Sequence, residues 1–188
     1  MALLSCTFGY EQAMKRQIGQ IATGVLLLAL AGPVFGQASD TELFTVTVNP
    51  VLTINAPAVG VTIVHDTTDA NQVFAAQRWT VAQNGAIGAS VTFSTNQEFT
   101  HTVAPAFRRN AGLALSLFSS DSGSGWAVST ATDQTDFAAA DGVATVAAAS
   151  TAPGDAAFDL TVSFLTTDFS TLAAGSYTTT VTGTITSN

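Results

Sequence analysis

His65 and His101 are the only imidazoles in the chain. A hydrolase built on this sequence would need one of them as base, beside a serine nucleophile and an orienting acid. No Gly-x-Ser-x-Gly turn is present to carry such a serine, and an isolated histidine in a strand context is more often a satisfied polar group. Glycoside hydrolysis needs two carboxylates facing across a cleft. Acidic residues are common here and mostly lie in turns, so pairs among them carry little information. No catalytic residue is assigned, and a secreted hydrolase is the least favoured function class.

His65-Asp66 with Asp69, and Asp133-Gln134-Thr135-Asp136 with Asp141, gather oxygen ligands in loops, as calcium requires. Neither set has the glycine and terminal glutamate of a full calcium loop, and aspartates in such places serve as turn caps. Zinc lacks ligands, because Cys6 is the single cysteine and the histidines are far apart. No metal or other cofactor is assigned. The tryptophans decide whether a sugar could stack on an exposed ring. Trp79 alternates in phase with Val73 and Val81, and Trp126 with Val128, so both are expected in the core.

The elements that would position these residues are strands. Short alternating runs separated by Gly, Asn, Asp, Ser and Pro fill the chain from Thr41 onward, with no convincing helix. The first is Leu43 to Val48, with Phe44, Val46 and Val48 on one face, ended by Asn49-Pro50. Val51 to Asn55, Val61 to His65, and Gln72 to Ala82 follow, the last with Val73, Ala75, Trp79 and Val81 in one phase. Asn84-Gly85 reads as a hairpin turn into Ala89 to Thr95. Leu113, Leu115 and Leu117 mark a strand before the loop Ser119 to Gly125, and Trp126, Val128 and Thr130 share the next phase. Phe137 to Ala149 reads either as a helical turn plus a strand or as two edge strands. Phe158, Leu160, Val162 and Phe164 form the clearest core strand. In the last strand Tyr177, Thr179, Val181, Gly183 and Ile185 alternate with a threonine rank, Thr178 to Thr186. A rank of this kind suits a solvated face. Ice binding would need several such ranks side by side, and the sequence displays one.

Ahead of this region stands a secretory pattern. Lys15-Arg16, the apolar run Ile21 to Ala31, Pro33 and the small residues Gly36-Gln37-Ala38 match a signal peptide with cleavage after Ala38 and translation from Met14. The run is too short and too interrupted by Gly32 and Pro33 for a retained membrane span. Residues 1–38 are therefore the expected leader and 39–188 a single domain. That length can bury about two-thirds of its unfolded surface without disulfides.

Charge narrows the partners. The chain carries a formal net charge of −8. Downstream of the leader its cations are Arg78, Arg108 and Arg109, with no lysine, against every acidic residue except Glu11. Nucleic acids and anionic membranes need clustered cations, so both are excluded as partners. Arg108-Arg109 is expected to flank a turn after Pro105.

The segment Ala174-Gly175-Ser176-Tyr177-Thr178-Thr179-Thr180-Val181-Thr182-Gly183-Thr184-Ile185 resembles the closing strand of exported bacterial β-sandwich surface proteins, pilin-like subunits and WxL-type surface domains. Trp126-Ala127-Val128 is similar to the first motif of the WxL type, with valine at the leucine position and Gly183 where a second tryptophan would stand. The resemblance implies a surface structural role and supplies no binding residues.

The expected fold is all-β: an antiparallel two-sheet immunoglobulin-like β-sandwich. The expected function is that of an exported, non-enzymatic structural or adhesive protein, secreted, periplasmic or at the cell surface. It would self-associate or bind another surface protein through a sheet edge or loop, with Phe44, Val46 and Val48 as a strand donor. The alternative is a secreted module for a glycan or small apolar ligand, which requires an exposed aromatic or an internal cavity.

Overall fold

The computed structural model describes residues 38–57 and 60–188, so the expected leader, apart from Ala38, and Cys6 lie outside the described residues. The chain divides into residues 1–45 and 46–188. In the first unit, residues 38–45 are exposed and carry no regular structure.

The second unit is built of antiparallel strands. In chain order they are β1 (Leu52–Asn55), β2 (Gln72–Val73), β3 (Gln77–Gln83), β4 (Ala89–Thr95), β5 (Phe99–His101), β6 (Arg108–Arg109) and β7 (Ala111–Ser120). There follow β8 (Ala127–Thr130), β9 (Thr132–Gln134), β10 (Thr145–Ala149), β11 (Ala156–Phe164), β12 (Tyr177–Thr178) and β13 (Val181–Ser187). Short 3-10 turns at Phe137–Ala139 and Phe169–Thr171 are capped by Asp136 and Asp168. The all-β expectation holds, and the segment Phe137 to Ala149 takes the form of one turn followed by one strand.

One sheet runs β1-β3-β11-β7-β9, with β2 also on β11; a second runs β13-β4-β10-β8; a third, small sheet runs β12-β5-β6. The first two share one core. Val81 and Phe158 from one sheet meet Val91, Phe93 and Val146 from the other, with Trp126 sealed among them. Phe93 stands edge-on to both Trp79 and Phe158. At the far end of β11, Phe99, Ala111 and Phe164 form a second cluster with Phe74, Leu172 and Tyr177 against it.

Several local expectations are corrected. Asn84-Gly85 is not a hairpin, because β3 and β4 lie in different sheets. The turn, closed by the Gly88 N–H on the Gly85 carbonyl, carries the chain from one sheet to the other. The Asn84 side chain clamps the incoming chain there, accepting from the Val51 N–H (2.7 Å) and donating to the Asn49 carbonyl (2.9 Å).

Gln72 to Ala82 is two strands rather than one. Gln77 pairs with Leu160, while the Phe74 N–H bonds to the Val162 carbonyl. The three steps on this strand against two on β11 insert one extra residue, and such an insertion reverses which face points inward. Gln72 and Phe74 therefore turn in and Val73 turns out, the opposite of the expected phase.

Leu43 to Val48 and Val61 to His65 are in no ladder. The last strand is broken at Thr179-Thr180, where Asn96 Oδ1 takes the Thr180 N–H and the Gln97 carbonyl takes the Thr179 hydroxyl. Its expected alternation survives the break.

Candidate functional site

Three regions hold the residues singled out above: the N-terminal arm, the free edge of β13, and the aromatic end of β11.

In the arm, Leu43, Phe44, Val46 and Val48 are exposed by 88, 82, 88 and 77 %. The pattern that elsewhere in the chain produces buried strands here leaves both faces in solvent. An extended segment registers as a strand only when another backbone pairs with it, and among the described residues none does.

Among the described residues the longest strand edge without a ladder is that of β13, and β1 of the other sheet lies close to it. Thr180 accepts from the Asn96 N–H and Asn188 donates to the Gly88 carbonyl. Alternate residues of an antiparallel strand bond to the same neighbour, so Thr182, Thr184 and Thr186 face β4 while Val181, Gly183 and Ile185 turn their backbone groups outward. Among the described residues no strand pairs there. From Tyr177 to Asn188 there is no charge and no proline, the usual guards of an edge. At the opposite edge the shorter β8 is tied to the other sheet: the chain passes directly from β8 to β9, and the Ala131 carbonyl between them accepts the Leu115 N–H.

Pairing also adds hydroxyls that the sequence does not display together. Thr182, Thr184 and Thr186 lie opposite Ser94, Thr92 and Ser90 of β4, so a second rank stands beside the first. It is partly self-bonded, through Ser94 with Thr145 (2.9 Å) and Ser90 with Asn188 (2.6 Å).

The aromatic end brings the two histidines toward each other. His101 stands edge-on to Tyr177, Tyr177 to Phe164, and Phe164 to His65, with centroids 5.1, 5.5 and 5.9 Å apart. Each imidazole is fully engaged. His101 Nδ1 accepts the Val103 and Ala104 N–H groups, and Nε2 donates to the Ala174 carbonyl. His65 Nδ1 accepts the Thr67 N–H. Its Nε2 meets the Thr166 hydroxyl at 3.0 Å, and that hydroxyl donates to the Ala70 carbonyl. The same partners fix both rings with the proton on Nε2.

Asp66 and Asp136 cap backbone turns, as the turn reading expected, whereas Asp69 and Asp133 reach across to distant segments. Asp66 accepts from Thr68 and Gln72, and the Thr68 hydrogen bonds hold its carboxyl below the usual range, aided by Gln72. Asp69 takes the Phe169 N–H, Asp133 the Thr145 N–H, and Asp136 those of Ala138 and Ala139.

Both tryptophans are placed toward the core as expected, Trp79 in phase with Val81 but not with Val73. Trp126 is buried, with its indole N–H on the Gly154 carbonyl at 3.0 Å, and Trp79 packs against the core. Among the described residues the arginines are all engaged. Arg78 makes a two-point pair with Asp159 (2.9 and 3.0 Å) and covers the Phe118 ring. That hydrogen-bonded pair lowers the Asp159 pKa and raises that of Arg78. Arg108 and Arg109 form β6 directly after the turn at Pro105, closed by the Phe107 N–H on the Ala104 carbonyl, and so flank it as expected; Arg108 meets buried Glu98 at 2.7 Å, and Arg109 ties to Thr166 and Thr171.

Between the aromatic end and the strap Val61 to His65 lies a cavity of about 330 Å³, bordered by Phe74, Phe99, Phe164 and Tyr177. Sequence reasoning missed it, because Phe74 faces inward only through the extra residue between β2 and β3. No family model, curated protein or solved structure matches the chain.

Proposed function

We propose that this chain is an exported, non-enzymatic structural or adhesive component of a cell surface, an immunoglobulin-like sandwich that associates through sheet edges. The observation that carries the reading is the arm. Phe44, Val46 and Val48 alternate with polar residues, are solvent-exposed, and have no sheet partner among the described residues. In a second copy or another surface protein such a segment would gain a ladder of backbone hydrogen bonds and bury one apolar face.

The acceptor in this reading is the outer edge of β13, whose Val181, Gly183 and Ile185 backbone groups are turned away from β4. It carries no charge and no proline to oppose pairing. Export is read from the leader pattern at 1–38, and with it a secreted, periplasmic or cell-surface location.

Size exclusion with light scattering and electron microscopy on the purified chain and on a variant lacking 39–49 test the reading. Filaments or discrete oligomers that vanish with the deletion support it. A monodisperse monomer in both, or unchanged assembly after deletion, overturns strand donation by the arm.

A second reading, a module for a small ligand, is favoured by one observation, the cavity at the aromatic end.

A further inference from the structure

The cavity beside the strap has three properties that together select a guest. Its walls are rings. Phe74 and Phe99 lie parallel at 6.0 Å, Phe99 meets Phe164 edge-on at 5.2 Å, and Phe164 meets Tyr177 edge-on at 5.5 Å. A planar aromatic molecule placed among them would extend the same offset and edge-to-face contacts.

The lining also holds no Asp, Glu, Lys or Arg, and both nitrogens of His65 are occupied. A charged guest would lose its hydration without gaining a counter-charge, whereas a neutral one would not.

One buried polar side chain lines the cavity as well, beside the more exposed Thr62, Ser176 and Thr178. Gln72 lines the cavity and is only 7 % exposed. Its amide nitrogen donates to Asp66 Oδ1 (2.8 Å) and the Ala70 carbonyl (2.9 Å), which fixes the orientation of the amide. Among the described residues no donor reaches its oxygen. Since no sealed side-chain oxygen or nitrogen among those residues lacks a partner, this oxygen borders open space. A ligand donor would satisfy it.

Access is provided by the strap. Gly60 to Val64 make no hydrogen bond to any described residue, and the segment is tethered at His65. Val61 and Ile63 line the cavity while Val64, 87 % exposed, points away. A segment without backbone bonds opens at small cost.

We propose that this cavity binds a small, neutral, planar aromatic molecule carrying one hydrogen-bond donor, of the phenol or indole class. The ring sits among Phe74, Phe99, Phe164 and Tyr177, and the donor rests on the Gln72 amide oxygen. The site is independent of edge association and stands whether or not the chain assembles.

Indole, its apolar isostere indene, and cellobiose are the probes, titrated against the full chain by calorimetry and ligand-detected saturation-transfer NMR. Indole is expected to bind, with indene about fivefold weaker for want of the hydrogen bond. Ile63→Trp and Val61→Trp fill the cavity from the strap and should abolish binding. Val64→Trp adds the same side chain on the outward face and should leave it unchanged. Melting curves establish that each variant is folded, and Val61→Trp serves if Ile63→Trp is not. Absence of indole binding overturns the site, as does binding that survives both cavity-filling variants or is lost equally with Val64→Trp. Equal affinity for indene overturns the role of Gln72. Cellobiose binding that the filling variants abolish, without indole binding, overturns the aromatic class in favour of a glycan.

Discussion

The large core and the aromatic end are made of similar side chains and behave differently because of backbone pairing. In the large core, β3, β4, β10 and β11 each have a ladder on both sides over much of their length, and Phe93, Phe158 and Val146 are fully buried. At the aromatic end, β2, β5, β6 and β12 are two or three residues long, and the strap beside them pairs with nothing described. Rings pack there too, yet a cavity of about 330 Å³ remains. Apolar composition draws residues together, but hydrogen-bonded neighbours hold sheets at the fixed spacing that lets side chains interlock. Where the ladder stops, space is left for something else.

The comparison is tested most severely by paired truncations. Phe158→Ala removes a fully buried ring that touches Phe93 and Trp126, and should lower stability by about 3–5 kcal/mol. Phe74→Ala, on the half-buried wall of the cavity, should lower it by about 1–2 kcal/mol. Urea unfolding measures both. Equal losses would mean that the aromatic end is as tightly built as the core.

An effect smaller than that of Phe158→Ala is expected at Gly183. A Cβ there would come within 2.7 Å of Ile54 Cδ1 and 2.9 Å of Trp79 Cζ3, so the large core is already full at that point. Gly183→Val should cost about 1–3 kcal/mol by overpacking, read as a drop in melting temperature. A neutral or stabilising result would reveal slack in the core and weaken the contrast.

The smallest free energies belong to local opening. Amide exchange should be slowest in β11 and near the unprotected rate at Val61 to Val64, whose opening costs close to nothing. Strong protection of the strap would show that it is paired and would remove the distinction between the two ends.

Much of the architecture was legible because alternation of apolar and polar residues has a single physical meaning in a half-buried strand. Phe158 to Phe164, Ala89 to Thr95 and the core placement of both tryptophans were read on that ground. The same rule misread Leu43 to Val48 and Val61 to His65 as ladder strands, since alternation describes a face and says nothing about a partner. It failed at Gln72 to Ala82, where one extra residue inverts the phase. That failure hid Phe74 and with it the cavity. The Asn84-Gly85 turn misled for a related reason: local turn chemistry sets a change of direction, and whether the chain returns in the same sheet or crosses to the other depends on which strands compete for its edges.

By itself the sequence determined the strand-rich character of the domain, its acidity, the lack of a disulfide framework, and the inward faces of most long strands. Those properties follow from residue type and from the two-residue period of the strand. Only the tertiary structure decided that the histidines converge on one aromatic end, that Ser90, Thr92 and Ser94 stand beside the threonine rank, and that the β13 edge stays unpaired. Each of these depends on which distant segments become neighbours, and neighbour choice is set by the summed burial and hydrogen bonding of the whole chain, beyond the reach of any local pattern.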